Sequence, residues 1–203
     1  MPRNHTPRLV GLTGYAGVGK DAAAAGLVAT GWTRQAFADP VRAMALAIDP
    51  IIVDCIGSYG DLYPYKGRTR LSTIVHDFGW GEAKGIPEVR RFLQRLGTDA
   101  VRAHLGEDAW VRAFDRARNR SVDTVAPDVR FPNEAELIHR HGGIVIRINR
   151  PGVGPVNDHE SEDIDAIDAD ATVVNDGTPA ELQQRIAVLV DLHYSTPVDG
   201  LPF

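Results

Sequence analysis

Apolar and polar positions fall into blocks along the chain, and the period changes from block to block. RLVGLT (Arg8–Thr13) is a short apolar run ending in glycine turn chemistry, which predicts a buried first strand. Alanine-rich Lys20–Ala29 predicts a helix, Thr33–Phe37 a second short strand, and Pro40–Ile48 a helix with proline at its first position. From Asp49 to Gly85, Gly, Tyr, Pro and Trp are scattered without a period. Glu88–His104 has the clearest helical pattern: Val89, Phe92, Leu93, Leu96 and Ala100 share one face, while Arg90, Arg91, Gln94 and Arg95 lie off it. Asp108–Arg118 predicts a further helix with Asp108 as N-cap.

Thr124–Val129 reads as a strand, and Asn133 as the cap of a helix to His141 with Glu136 at the capping-box position. Ile144–Ile148 is another strand, residues 150–163 a polar loop bearing glycine and proline, and Ala171–Val174 a last strand. After the Asn175–Gly177 turn, Pro179–Leu192 predicts a C-terminal helix with Leu182, Ile186 and Leu189 inward; the tail from His193 is expected to pack loosely. Strands alternating with helices imply a parallel α/β sheet, whose ligands bind beyond the carboxyl ends of the strands. That rule lines up Gly14–Asp21, Asp39, Asp128–Arg130 and Arg150 along one edge.

Composition changes this picture only a little. The 203 residues suit one domain, with or without a small lid, and no apolar run approaches a membrane span. No secretory leader is visible, and the single cysteine, Cys55, fits a reducing cytoplasm. A net charge of −5 argues against a general nucleic-acid coat. Arginine outnumbers lysine 19 to 3, which suits phosphate recognition and equally suits a GC-rich genome.

Chemistry enters with GLTGYAGVGKDAAAAG. Strand, glycine loop and helix come in the order a phosphate-binding loop requires: backbone N–H groups of Gly14, Tyr15, Ala16, Gly17, Val18, Gly19, Asp21 and Ala22 cradle phosphates, and Lys20 reaches their outer oxygens. Such loops usually place Ser or Thr after the lysine, beside Mg²⁺. Here Asp21 stands there, either complementing the helix dipole or acting near the metal. In VAPDVRFPNEAE, Asp128 and Arg130 alternate onto one side of an extended chain: an acid for metal-bound water and an arginine for an acceptor phosphate, or a plain surface pair. Asp39 in AFADP is a metal or acceptor candidate or a turn acid; Arg91 and its arginine neighbours are solvated helix charges unless they meet a ligand. The Arg150, His159, Glu160, Glu162 group fits a closing lid better than a zinc site.

Together, GLTGYAGVGKDAAA, FADPVR, FLQRLGTDAVR with DAWV, DVRFPNEAELI, RPG…HESE and VVNDGT…EL resemble the deoxynucleoside monophosphate kinase family of bacteriophages and some bacteria. The resemblance implies a three-layer P-loop fold with a parallel central sheet, a monophosphate-binding portion over residues 49–118 and a lid over 150–163 within a single kinase domain. It implies transfer of the γ-phosphoryl of ATP, with Mg²⁺, to a deoxynucleoside 5′-monophosphate. Gly14 to Ala22 would bind ATP; Asp21 and Asp128 would serve the metal; Lys20, Arg130 and Arg150 would act on the transferred group. Asp39, Arg42, Arg91, Gln94, Thr98, Arg102, Trp110 and Arg130 would face the monophosphate. Small molecules are the implied partners, without stable nucleic acid or membrane, in a possible homodimer. The rival readings are another small-molecule P-loop kinase, of the phosphomevalonate type, and an ATP-sensing module without turnover.

Overall fold

The computed structural model describes residues 7–52, 68–154 and 164–195. The expectations for Cys55, for His159, Glu160 and Glu162, and for the tail beyond Ser195 lie outside the described residues. In chain order the elements are β1 (Leu9–Thr13), α1 (Lys20–Ala29), β2 (Thr33–Arg34), α2 (Asp39–Ile48), β3 (Ile51–Ile52), β4 (Thr69–Arg70), α3 (Leu71–Ala83) and α4 (Pro87–Gln94). A π-helical stretch, Arg95–Arg102, continues α4 into α5 (Ala103–Leu105). Then come α6 (Ala109–Ala117), β5 (Thr124–Ala126), α7 (Pro132–Arg140), β6 (Ile144–Asn149), β7 (Ala171–Val174) and α8 (Pro179–Ser195). The chain divides into two compact units, residues 1–37 with 114–203, and residues 38–113.

The first unit is built on a five-stranded sheet of order β2-β5-β1-β6-β7, every pair parallel. A parallel sheet is buried on both faces, so β1 is apolar throughout and all five residues are buried. On one face Val10, Leu12, Ile144 and Ile146 pack against Ala23, Ala24 and Leu27 of α1 and Leu182, Ile186 and Val190 of α8. On the other, a side chain at Gly11 would collide with Ile138 of α7 and Val129, so α7 lies directly on the sheet. These are the three layers of the α/β fold the resemblance implies. α8 runs to Ser195, and Tyr194 accepts the N–H of Leu9 (3.0 Å) and donates to its carbonyl (2.9 Å). The chain is therefore pinned at Tyr194, two residues beyond the predicted helix end, and burial pushes the Tyr194 phenol up from its ordinary value.

The second unit folds part of the stretch that has no sequence period. β3 and β4 pair antiparallel, and α3 runs from Leu71 with a break at Gly79, where φ is 71°. Ala45, Ile52, Leu71, Ile74, Ile86, Val89, Leu96, Val101 and Trp110 form its core. The helical face differs from the expected one: Val101, not Ala100, follows Leu96 inward, and Ala100 is exposed. The π turn explains this, because its i→i+5 register places residue 101 where an α-helix would place residue 100. No helix among the described residues is long and apolar enough to cross a membrane.

Candidate active site

The glycine loop of the first unit is shaped by positive backbone angles that L side chains rarely adopt. Gly14 has φ +138°, and a Cβ there would be driven into the carbonyl oxygen of Ile148 at the end of β6. Gly19, the N-cap of α1, has φ +104°, and its Cβ would lie 2.6 Å from Asn175 Nδ2. The loop is thus pressed onto the ends of two neighbouring strands. Lys20 Nζ donates to the carbonyls of Gly14 and Tyr15, the latter at 2.7 Å, so the ammonium sits over the loop's own rim. Behind it, Gln183 Nε2 donates to Ala22 O (2.9 Å), holding the first turn of α1 on α8.

Asp21 points outward. Its side chain is 87% exposed and lies 3.5 Å from Arg34 NH2 on β2. An exposed pair of this kind adds little stability, so Asp21 is a solvated carboxylate in the first turn of α1, where the helix dipole favours it.

The segment after β5 is not the extended strand the alternation requires. β5 stops at Ala126, and Pro127–Asp128 turn. Hydrogen bonds take over its placement: Val129 N–H donates to Leu12 O (3.1 Å), and Phe37 N–H donates to Asp128 Oδ1 (2.9 Å). Asp128 is therefore tied to the chain leaving β2, beside the end of β1. Arg130 follows with its own anchor. Glu134 Oε2 accepts the backbone N–H groups of Arg130 (2.7 Å) and Phe131 (3.1 Å), and Glu134 is 4% exposed. The cap of α7 is accordingly Phe131 with Glu134 at its third position, where the sequence suggested Asn133 and Glu136. The pattern F-P-N-E, with proline at the first helical position, carries that signal. Arg150 lies exposed just past β6.

In the second unit Arg91, Gln94, Thr98 and Arg102 recur at spacings of three, four and four along one helical run. Arg91 is exposed, Gln94 and Thr98 half-buried, and Arg102 8% exposed. Trp110 from α6 is buried and donates its indole N–H to Gly97 O inside the π stretch (2.8 Å). α2 covers the same turn through Val41, and at its start Arg42 NH1 pairs with Asp39 Oδ1 at 3.1 Å. The structure thus gathers Asp39 with Arg42, Trp110 with the π turn, and the glycine loop with Asn175, a residue the sequence marked only as a turn.

A profile of the deoxynucleotide monophosphate kinase family matches residues 76–186, more than half of the 203. The chain belongs to that family. Among related proteins, one from Acanthamoeba polyphaga mimivirus, provisionally named a deoxynucleotide monophosphate kinase, is 29% identical over 90% of this chain and 96% of its own. The deoxynucleotide monophosphate kinases of Enterobacteria phage T4 and Escherichia phage RB69 are 31% and 28% identical. Those matches cover 48% and 64% of this chain but 43% and 52% of the phage proteins, about half of their lengths. Among solved structures, a dephospho-CoA kinase from Campylobacter jejuni covers 94% of this chain and 98% of its own at 15% identity, with a TM-score of 0.38. As a member of this kinase family the chain is a phosphotransferase.

Proposed function

We propose that this chain transfers the γ-phosphoryl group of ATP to a deoxynucleoside 5′-monophosphate, releasing ADP and the diphosphate. The observation that carries the reading is the loop Gly14–Gly19, with positive-φ glycines leading into the start of α1 and Lys20 folded over the loop's carbonyls. Lys20 would exchange its two carbonyl partners for phosphate oxygens when ATP enters. Arg130 and Arg150 neutralise charge on the transferred group, and Asp39, Arg42, Arg91, Gln94, Thr98, Arg102 and Trp110 serve the monophosphate. The acceptor phosphate is already anionic, so positioning and charge stabilisation supply the catalysis and no general base is required.

Among the described residues no cluster of three or more His, Cys, Asp or Glu could hold a metal by itself. Mg²⁺ takes one or two carboxylates and fills its shell with phosphate oxygens and water. Asp128 would be the carboxylate offered to such an ion, which would screen the phosphate charge when bound, while Asp21, turned to solvent, is left to the helix dipole.

The test is ADP release from ATP and Mg²⁺ with dAMP, dCMP, dGMP, dTMP and phosphomevalonate as acceptors. Turnover of one or more deoxynucleoside monophosphates is expected. Turnover of phosphomevalonate alone, or ATP binding without any turnover, refutes the reading.

A further inference from the structure

The turn between β7 and α8 holds the glycine loop, and Asn175, Asp176 and Thr178 within it are themselves held. Asn175 is 9% exposed; its backbone N–H donates to Asn149 O (2.7 Å), continuing the β6–β7 pairing by one residue. Its side-chain Nδ2 donates to Val18 O in the glycine loop (2.8 Å). Asp176 accepts from Arg185 (2.8 Å), and Thr178 and Glu181 form a reciprocal cap at the start of α8, with Glu181 Oε2 accepting Thr178 N–H (2.7 Å) and the hydroxyl (2.9 Å). The carboxamide of Asn175 is therefore presented from a rigid turn.

The consequence follows from peptide geometry. Every peptide described is trans, so the carbonyl of residue 18 and the N–H of residue 19 lie in one plane and point in opposite directions. A bond that holds Val18 O toward Asn175 turns the Gly19 N–H away from that carboxamide. Gly19 permits this because it has no Cβ to strike Nδ2. We propose that Asn175 is a positioning residue of the kinase: by holding Val18 O it locks the Val18–Gly19 peptide with its N–H directed at the nucleotide phosphates. The inference deepens the nucleotide reading of the loop and rests on it. Preorganised donors are what make such a loop bind anions strongly, since a peptide free to flip presents its carbonyl to the phosphate half-way round.

Asn175→Asp keeps the size and removes the donor. Expected are a loss of ADP affinity by calorimetry of about tenfold or more and a matching rise in KM for ATP, with KM for the monophosphate within about twofold. A residue that only ties the two loops together for stability would lower the melting temperature and leave the nucleotide constants alone. Unchanged ADP affinity in a folded Asn175→Asp variant overturns the proposal. Should that variant not fold, the unaltered chain decides by NMR. Saturating ADP must shift the Gly19 amide resonance while the Asn175 carboxamide stays protected from exchange; a Gly19 amide that ADP does not move overturns it. Failure of the unaltered chain to bind ADP removes the nucleotide reading itself, and this inference with it.

Discussion

Replacing Glu134 by alanine removes one buried carboxylate oxygen and orphans two backbone donors, the N–H groups of Arg130 and Phe131. Hydrogen bonds to a charged acceptor contribute about 1.5–3 kcal/mol each, so the pair amounts to about 3–6 kcal/mol gross. Water entering the loosened start of α7 offsets part of this, leaving an expected loss of about 2–4 kcal/mol. For a chain of this size that is a fall in Tm of about 5–15 °C. Glu134→Gln keeps an acceptor oxygen and loses the charge at the helix N-terminus, costing about 1 kcal/mol. Thermal unfolding by circular dichroism reads both. Because the lost bonds hold Arg130, kcat/KM for the monophosphate should fall about tenfold in the alanine variant, while ADP affinity stays within about twofold. A Glu134→Ala protein melting within about 2 °C of the parent, at full turnover, refutes the assignment of Glu134 as the anchor of this segment.

Further outcomes are expected elsewhere. Gly14→Ala meets both a positive φ and the Ile148 carbonyl, so about 1–3 kcal/mol of stability and most ADP affinity should be lost, measured by melting and calorimetry. Val101→Ala should cost about 2 kcal/mol and Ala100→Ser under about 0.5, since the π register buries the former; the reverse order would return the stretch to α register. Asp176 is held below the usual carboxylate range by Arg185, and Glu181 by the backbone N–H of Thr178. Depressed values mean stability that is present above the ordinary carboxylate range and lost as pH falls through the folded values. Tm should therefore drop between about pH 5 and 3, more shallowly in Glu181→Gln.

Much of this protein is written locally. The apolar run of β1, the spacing Gly14-x₄-Gly19-Lys20 and the helix after it depend on neighbours within a few residues, so pattern and turn chemistry suffice to find them. The parallel sheet follows from strands and helices in alternation, and β6 and β7 were legible for the same reason. Helix α3 and the β3–β4 pair were not, because their stability comes from packing against Ile52, Leu71 and Val89 across the second unit rather than from a period of their own. Nor could periodicity show that Arg95–Arg102 winds with five-residue hydrogen bonds, which moves the buried position from Ala100 to Val101.

The site divides along the same line. Sequence alone located the glycine loop and marked Asp128 and Arg130, since those motifs are contiguous. Their supports are distant in the chain: Asn175 reaches Val18 across 157 positions, and Asp128 reaches Phe37 across 91. Only the order β2-β5-β1-β6-β7 brings those strand ends side by side, and a hydrogen bond needs its two partners within about 3 Å whatever separates them along the chain. The residues proposed to meet phosphate were thus legible in local sequence. Those that hold them in place were decided by the fold.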